Sequence, residues 1–254
     1  MYPSTQIGHL LLPTFSVVLW VAVIVMMPLS VLGGKTKGLS RETVLGALLA
    51  GVTGFAISVW LFHALLQRHA TGSGTVGGCF AAMAAVKAWA VCRRIPFLRL
   101  ADCLARPLAL YIAIVRVGCF MAGCDFGEPT GHFWGVTFTS GLSLAWYGTP
   151  LGVPLHPTQL YESAWCAAIF IWLSLVQHRP LPEGARFSAF VATYTFGRFI
   201  IEFLRGDADR GFLGPLSVPQ WFCIIAFIGM ALFHIRSLRF TRRVPAHRQT
   251  PTYR

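Results

Sequence analysis

Long apolar segments constrain the fold of this chain more than any other feature. A bilayer core of ~30 Å needs roughly 20 apolar residues per helix, so a chain of this length has room for about seven spans. We place them at Leu10–Leu32, Val44–Leu66, Gly72–Cys92, Leu100–Cys124, Gln159–Gln177, Phe187–Leu204 and Leu216–Ile235. The sequence therefore predicts an all-α, polytopic transmembrane helical bundle of about seven spans.

The composition supports a membrane protein and argues against a nucleic-acid binder. Apolar residues make up 55% of the chain and charged residues 12%, and the mean hydropathy of +0.62 is far above that of a soluble domain. The formal charge of +12 lies in loops between apolar segments rather than in one solvated patch. The first apolar segment is too long for a signal peptide and lacks a basic flank, so we expect it to be retained.

The distribution of lysine and arginine predicts the orientation. Of the 21 basic residues, fourteen fall in one set of connections and the C-terminal tail, three fall in the other set, and four lie within spans. The positive-inside rule then puts the N-terminus outside and the C-terminus in the cytoplasm. Residues 1–236 form the membrane domain, with an outer cap at 125–158 that contains no lysine or arginine. Residues 237–254 form a basic, disordered cytoplasmic tail.

The seven cysteines do not have the spacing of a metal site. They lie singly in apolar segments without a CxxC pair, which favours small buried side chains over ligands. We expect no metal and no cofactor. A disulfide between Cys119 and Cys124 at the outer face stays open at this point.

Charged side chains from distant spans are predicted to meet near the outer face of the bilayer. Arg198 and Glu202 share a helix face, and Tyr194 lies on it one turn earlier. The neighbouring outward span carries Arg116, so two arginines face one glutamate and leave excess positive charge. Guanidinium groups match phosphate oxygens, so this pattern favours a phospholipid headgroup. A buried ion pair without a ligand is the alternative.

Two further motifs have both a structural and a functional interpretation. His156-Pro157-Thr158 is typical of a helix start, with Thr158 as the N-cap. The glycines between Gly72 and Gly78 permit close helix packing or backbone contact with a ligand.

These residues resemble the prolipoprotein diacylglyceryl transferase family along nearly the whole chain. The segment Arg116-Val-Gly-Cys-Phe-Met-Ala-Gly-Cys-Asp-Phe-Gly127 is similar to that family's signature of Arg, x, Gly, Asn, Phe, x, Asn, Gly, Glu, two residues and Gly. Asp102 has the spacing of a family aspartate, and His156-Pro-Thr-Gln-Leu-Tyr-Glu162 matches the family's segment at that place. Tyr194, Arg198 and Glu202 match its late-span residues, and Ser217-Val-Pro-Gln-Trp221 resembles the start of its last span.

The departures from the family pattern remove polar groups. The family's His-Gly-Gly motif is Val76-Gly77-Gly78 here, the signature's first asparagine is Cys119, and its glutamate is Cys124. A first-span tyrosine corresponds to Phe15. The chain is therefore interpreted as a short, divergent member that keeps the arginines.

The resemblance implies an enzyme of lipoprotein biosynthesis in the bacterial inner membrane. It would transfer the diacylglyceryl group of phosphatidylglycerol to the lipobox cysteine of a preprolipoprotein signal peptide, with its site toward the outer leaflet. The implied catalytic residues are His156, Tyr194, Arg198 and Glu202. The implied substrate-binding residues are Gly77, Gly78, Asp102, Arg116, Gly118, Cys119, Gly127, Gln159, Tyr161 and Glu162. His156 is the preferred base because its ordinary pKa is near neutrality.

Two alternatives remain at this point. One is a diverged transferase that passes the lipid moiety to another acceptor. The other is a non-catalytic membrane protein that binds anionic phospholipid. The loss of the family histidine at Val76 favours these alternatives, whereas the retained arginines favour the transferase.

Overall fold

The computed structural model describes residues 3–7, 10–66, 71–207 and 210–243. This part of the chain is dominated by helices, in agreement with the predicted polytopic helical membrane protein. The helices are α1 (Thr14–Lys35), α2 (Arg41–Leu66), α3 (Thr71–Cys92), α4 (Phe97–Ala122), α5 (Gly141–Tyr147), α6 (Thr158–Leu175), α7 (Ala185–Glu202) and α8 (Val218–Arg243).

Helix α4 lies at the centre of the bundle and packs against α1, α6 and α7. Outside this group, α2 packs against α3, and α8 packs against α7. Within the described residues, four stretches are long and apolar enough to cross a membrane: Thr14–Lys35, Arg41–Phe62, Phe97–Ala122 and Val218–Arg236. The predicted total of seven spans and their orientation stay predictions.

The first span begins later than predicted. Residues Leu10–Pro13 form strand β2, which pairs antiparallel with β1 (Ser4–Ile7), and α1 begins only at Thr14. The physical reason is Pro13, which lacks an N–H and has the extended backbone of an N-cap residue (φ −59°, ψ 125°). The N–H of Thr14 then donates to the carbonyl of Pro3 at 2.9 Å.

Two short pairs of antiparallel strands interrupt the helical pattern near the ends of helices. Strand β3 (Val136–Thr137) pairs with β4 (Pro154–Leu155), and β5 (Phe212–Leu213) pairs with β6 (Leu216–Ser217). The prediction did not include these strands. The first pair belongs to the connection between α4 and α6, which has its own apolar core of Phe126, Phe138 and Leu155.

Helix α4 ends two residues before the predicted limit. Gly123 has the left-handed conformation (φ 94°) and its N–H donates to the carbonyl of Cys119 at 2.8 Å, a common helix C-terminus. Cys124 and Asp125 therefore lie on the connection rather than on the helix. We call this end of the bundle, where α4 and α7 end and α6 begins, the site end.

Helix α8 begins with a reciprocal cap and extends beyond the predicted span. The N–H of Ser217 donates to Gln220 Oε1 at 2.9 Å, and the N–H of Gln220 donates to Ser217 Oγ at 3.3 Å. The helix continues through Arg243, so the first seven residues of the predicted disordered tail are helical. The rest of that tail, 244–254, lies outside the described residues.

Candidate active site

Two arginines from different helices share one carboxylate oxygen at the site end. Arg116, in the last turns of α4, places Nε 3.0 Å from Glu162 Oε2, and Arg198 of α7 places Nε 3.6 Å from the same oxygen. Glu162 stands in the first turns of α6 and is 3% exposed. Helix α4 packs against both α6 and α7. The two arginines predicted from the sequence therefore converge as expected.

The predicted helix stripe on α7 completes this arrangement. The Tyr194 hydroxyl donates to Glu162 Oε1 at 2.8 Å, and Arg198 Nη1 forms an ion pair with Glu202 Oε2. The hydroxyl of Ser217 donates to Glu202 Oε1 at 2.9 Å. Each oxygen of the two carboxylates thus contacts a hydroxyl or a guanidinium group, and the Arg198 guanidinium lies between Glu162 and Glu202.

The sequence interpretation missed Asp125 and Arg205. Asp125 Oδ2 lies 2.6 Å from Arg116 Nη1, and Asp125 Oδ1 lies 2.6 Å from Arg205 Nη2. Burial by itself would raise the pKa of Asp125, but the charges of Arg205 and Arg116 outweigh burial and hold that pKa well below its usual range. Asp125 is thus ionised at neutral pH and links the end of α4 to the segment after α7.

The spacing between Glu202 and Arg205 is a sequence signal for the place of Arg205 in the site. Arg205 follows Glu202 by three residues, and its Nη1 lies 3.8 Å from Glu202 Oε2. Asp125 directly follows the signature glycine and cysteine, and has a left-handed φ of 55°, a conformation that aspartate tolerates better than most residues. Both residues belong to loops, where helix periodicity does not predict the direction of a side chain.

Among the described residues, the site has four arginines and four carboxylates, which corrects the predicted positive excess. Arg210 adds a fourth cation, 3.8 Å from Glu202 Oε1, and Asp207 adds a fourth carboxylate, which pairs with Arg205. We call this set the arginine network: Arg116, Arg198, Arg205, Arg210, Asp125, Glu162, Glu202 and Asp207. An anion that binds here must compete with these carboxylates for the guanidinium N–H donors.

His156 and Tyr161 lie beside the arginine network. His156 Nδ1 and the Tyr161 hydroxyl are 3.1 Å apart, and the His156 ring also faces His132 with 5.8 Å between ring centroids. The backbone of His156 is fixed by Gly127 and Glu128, since the Gly127 N–H donates to His156 O at 3.1 Å and the His156 N–H donates to Glu128 O at 2.9 Å. Among the described residues, no ion pair joins this imidazole to a carboxylate of the arginine network.

Gly127 and Gln159 support the loop that carries Asp125. A Cβ on Gly127 would collide with the backbone of His156, and Gly127 forms a bridge with Arg205. Gln159 Nε2 donates to Cys124 O at 2.6 Å, while its buried Oε1 has no hydrogen-bond donor among the described residues. Thr158 is not the N-cap that was predicted, because Pro157 has that place and the Thr158 hydroxyl donates to Asp125 O at 2.8 Å.

Cys119 and Cys124 are both free thiols. Together with Asp125 they place potential metal-ligand atoms within 4.8 Å of one another. However, Asp125 is engaged by two arginines, and the hydrogen bond with Cys119 and burial raise the pKa of Cys124 well above its usual range. A protonated thiol and an occupied carboxylate are poor ligands, so this group does not favour a cation.

Three predicted substrate-binding residues lie apart from the arginine network. Asp102 lies at the opposite end of α4, where it accepts the N–H groups of Gly184 and Phe187 at 3.0 and 2.9 Å. Gly78 packs against the ring of Phe55, and Gly77 faces Ser58, both on α2. Gly118 lies near the network but serves helix packing, since a Cβ there would stand 3.0 Å from Val18 of α1.

The fold and the site together define a helical membrane protein whose helices bring a buried arginine–carboxylate network to one end of the bundle. The family model described as prolipoprotein diacylglyceryl transferase matches residues 4–236. The chain therefore belongs to the prolipoprotein diacylglyceryl transferase family, as its motifs predicted.

Similar proteins carry the corresponding name. Phosphatidylglycerol–prolipoprotein diacylglyceryl transferase 2 of Clostridium perfringens is 38% identical over 143 residues, which is 56% of this chain and 54% of that protein. The transferase of Clostridioides difficile is 30% identical over 214 residues, 79% of this chain and 81% of that protein. The alignments with the first three relatives span about half of those proteins, at 54%, 55% and 47%.

Proposed function

We propose that the chain transfers the diacylglyceryl group of phosphatidylglycerol to the lipobox cysteine of a preprolipoprotein. The thiol sulfur attacks the glyceryl carbon that carries the phosphodiester oxygen. A carbon–sulfur bond forms, the carbon–oxygen bond breaks, and glycerol phosphate leaves with the electron pair. The thiol proton passes to a base, and no redox partner is needed.

The convergence of Arg116 and Arg198 on one oxygen of Glu162 carries this proposal. Two guanidinium groups that can share a carboxylate oxygen are also spaced to share a phosphate oxygen. Negative charge on the phosphate rises as the carbon–oxygen bond breaks, so two fixed cations stabilise the transition state more than the bound substrate. The carboxylates of the arginine network keep these cations in place before the lipid arrives.

His156 is the proposed base for the thiol. It is half-buried and has the Tyr161 hydroxyl as a hydrogen-bond partner, which orients the ring. Tyr194 is assigned to the Glu162 side of the site because its hydroxyl donates to that carboxylate.

The same proposal includes the surroundings of the site. The chain would lie in the bacterial inner membrane with the site end toward the outer leaflet, where the signal peptide of the acceptor lies. Residues 125–158 would form an outer cap, since this connection has its own apolar core, which packs against Phe120 of α4. The basic residues on the connections at the opposite end support this orientation.

The test is transfer of labelled diacylglyceryl from phosphatidylglycerol to a lipobox peptide by the purified protein. Arg116→Ala and Arg198→Ala are compared with Arg99→Ala, which removes an exposed arginine paired with Glu183 at the opposite end. We expect labelled peptide from the wild type and Arg99→Ala, and a loss of about 100-fold or more in the two site variants. Tight phosphatidylglycerol binding without labelled peptide would contradict transfer to this acceptor and favour another acceptor or a binding role.

A further inference from the structure

A cavity lined by cationic side chains lies at the end of the bundle opposite the arginine network. It has a volume of about 290 Å³ and is lined by the ends of α1, α4, α6 and α7. Its charged lining consists of Lys35, Lys37, Arg106, Arg186 and Asp102, with Leu32 and Leu173 on its apolar side. This volume is near the lower limit of ordinary ligand pockets.

The cavity is separate from the arginine network. Arg106 precedes Arg116 by ten residues on α4, which corresponds to about 15 Å along a helix axis. Arg186 precedes Arg198 by twelve residues on α7, which corresponds to about 18 Å. A single phosphate group therefore cannot contact both clusters.

The carboxylate in this cavity already forms hydrogen bonds with the backbone of α7. Asp102 accepts the backbone N–H groups of Gly184 and Phe187 and so caps the N-terminus of α7. It is also 3.6 Å from Lys37 Nζ. One carboxylate thus neutralises at most one of the four cations, and its hydrogen-bonding capacity is largely used by the α7 backbone.

The two arginines of the cavity have only neutral hydrogen-bond partners among the described residues. In the described ranges, no carboxylate lies within ion-pair distance of Lys35, Arg106 or Arg186. Arg106 donates to the side-chain oxygen of Gln177. Arg186 donates to the carbonyls of Gln177 at 2.8 Å and Arg179 at 2.7 Å. The cavity therefore has an excess of positive charge, whereas every arginine of the arginine network has a carboxylate partner.

We propose that this cavity is a second binding site, specific for a phosphate-bearing anion. Guanidinium groups bind phosphate oxygens through paired charge-assisted hydrogen bonds, and Lys35 adds a mobile positive charge. The two leucines suit the first carbons of an acyl-glycerol, so a phospholipid headgroup and a free phosphate ester share the chemistry that this cavity recognises. The proposal does not depend on the transfer reaction at the other end.

Two measurements on the purified, detergent-solubilised protein distinguish the two sources. Native mass spectrometry counts bound phosphatidylglycerol, with phosphatidylcholine as the neutral lipid. Calorimetric titration measures binding of inorganic phosphate and of glycerol phosphate. The double variant Arg106→Gln/Arg186→Gln is compared with Arg99→Gln, which lies at the same end but does not line the cavity.

We expect the double variant to lose one bound phosphatidylglycerol, or to bind the soluble phosphate at least about tenfold more weakly, while Arg99→Gln behaves as wild type. Loss of lipid identifies a headgroup site, and loss of the soluble phosphate alone identifies a site for a free phosphate ester. Unchanged binding of all ligands in the double variant overturns the proposal. If the double variant does not melt cooperatively, Lys35→Gln, an exposed residue, serves instead, and unchanged binding in it has the same meaning.

Discussion

At the scale of single residues, Glu162 is the side chain that joins the two central arginines. One of its oxygens is the shared ion-pair partner of Arg116 and Arg198, and the other accepts a hydrogen bond from Tyr194. We expect Glu162→Gln to lower the free energy of unfolding by about 3 kcal/mol, because it removes the buried carboxylate that Arg116 and Arg198 share. Unfolding of the purified protein by titration with SDS measures this change.

Glu183→Gln is the matched control for that substitution. Glu183 also pairs with an arginine, at 2.7 Å from Arg99 Nε, but both side chains are 42% exposed. Solvent screens this pair, so its loss should cost less than about 1 kcal/mol. Equal losses in the two variants would show that Glu162 does not act as the common anchor.

Asp125 makes the free energy of unfolding depend on pH in the acidic range. Its pKa is depressed in the folded protein because Arg205 and Arg116 outweigh the effect of burial. A depressed carboxyl pKa contributes stability that is fully present above the unfolded pKa of about 4 and is lost as pH falls toward the folded pKa. The contribution should therefore be constant between about pH 5 and pH 8 and decline below about pH 4.

Asp125→Asn isolates this contribution. We expect its melting temperature to lie below that of the wild type by a constant interval across the neutral range, and the interval to narrow in acid as the wild-type carboxyl becomes protonated. Melting curves of both proteins from pH 3 to pH 8 provide the measurement. An interval that widens in acid would mean that Asp125 is not held ionised by the arginines.

The sequence predicted the helical members of the site better than its loop members. Arg116, Tyr194, Arg198 and Glu202 could be aligned because the 3.6-residue period fixes which side chains share a face. Asp125 lies beyond the left-handed Gly123, and the direction of a chain after such a turn depends on tertiary contacts. The charge balance was wrong for the same reason, because the missing carboxylates come from loops.

At the scale of elements, α2 and α3 pack closely through glycine. A Cβ on Gly54 would stand 2.8 Å from the carbonyl oxygen of Ala81 and 2.8 Å from Ala85 Cβ. We expect Gly54→Ala to destabilise the protein, because overpacking at roughly 1–3 kcal/mol exceeds the helix-propensity gain of at most about 1 kcal/mol. The SDS unfolding assay is the measurement.

Gly229→Ala on α8 is the control, since a Cβ there meets nothing within 4 Å. It gains the helix propensity without the collision and should be neutral or slightly stabilising. Destabilisation of the same size in both variants would contradict a specific contact between α2 and α3.

The existence of the long helices was predictable from hydropathy, whereas several of their limits were not. Pro13 delays α1 although Leu10–Leu12 are as apolar as the helix that follows. The short strand pairs β3–β4 and β5–β6 were not predicted, because strands of two residues have no measurable hydrophobic period. Asp102 caps the N-terminus of α7, and this role was not predicted because spacing along the sequence does not distinguish a ligand contact from a helix cap.

At the scale of the whole molecule, the two ends of the bundle differ in their charge chemistry. The site end carries arginines that are each matched by a carboxylate. The opposite end carries most of the loop lysines and arginines with few carboxylates. Connections on the cytoplasmic side carry an excess of lysine and arginine, so this distribution supports an orientation with the site end outside.

Cysteine labelling tests this orientation on the whole chain. In a background with the exposed Cys79 and Cys92 changed to serine, Gly131→Cys places a thiol in the connection between α4 and α6, where a Cβ meets nothing within 4 Å. Pro180→Cys places one in the exposed connection between α6 and α7. We expect a membrane-impermeant maleimide applied to intact spheroplasts to label Gly131→Cys only, and both variants to be labelled after permeabilisation. The reverse pattern would place the arginine network on the cytoplasmic side, where the acceptor signal peptide and the cap assigned to residues 125–158 would both need a new explanation.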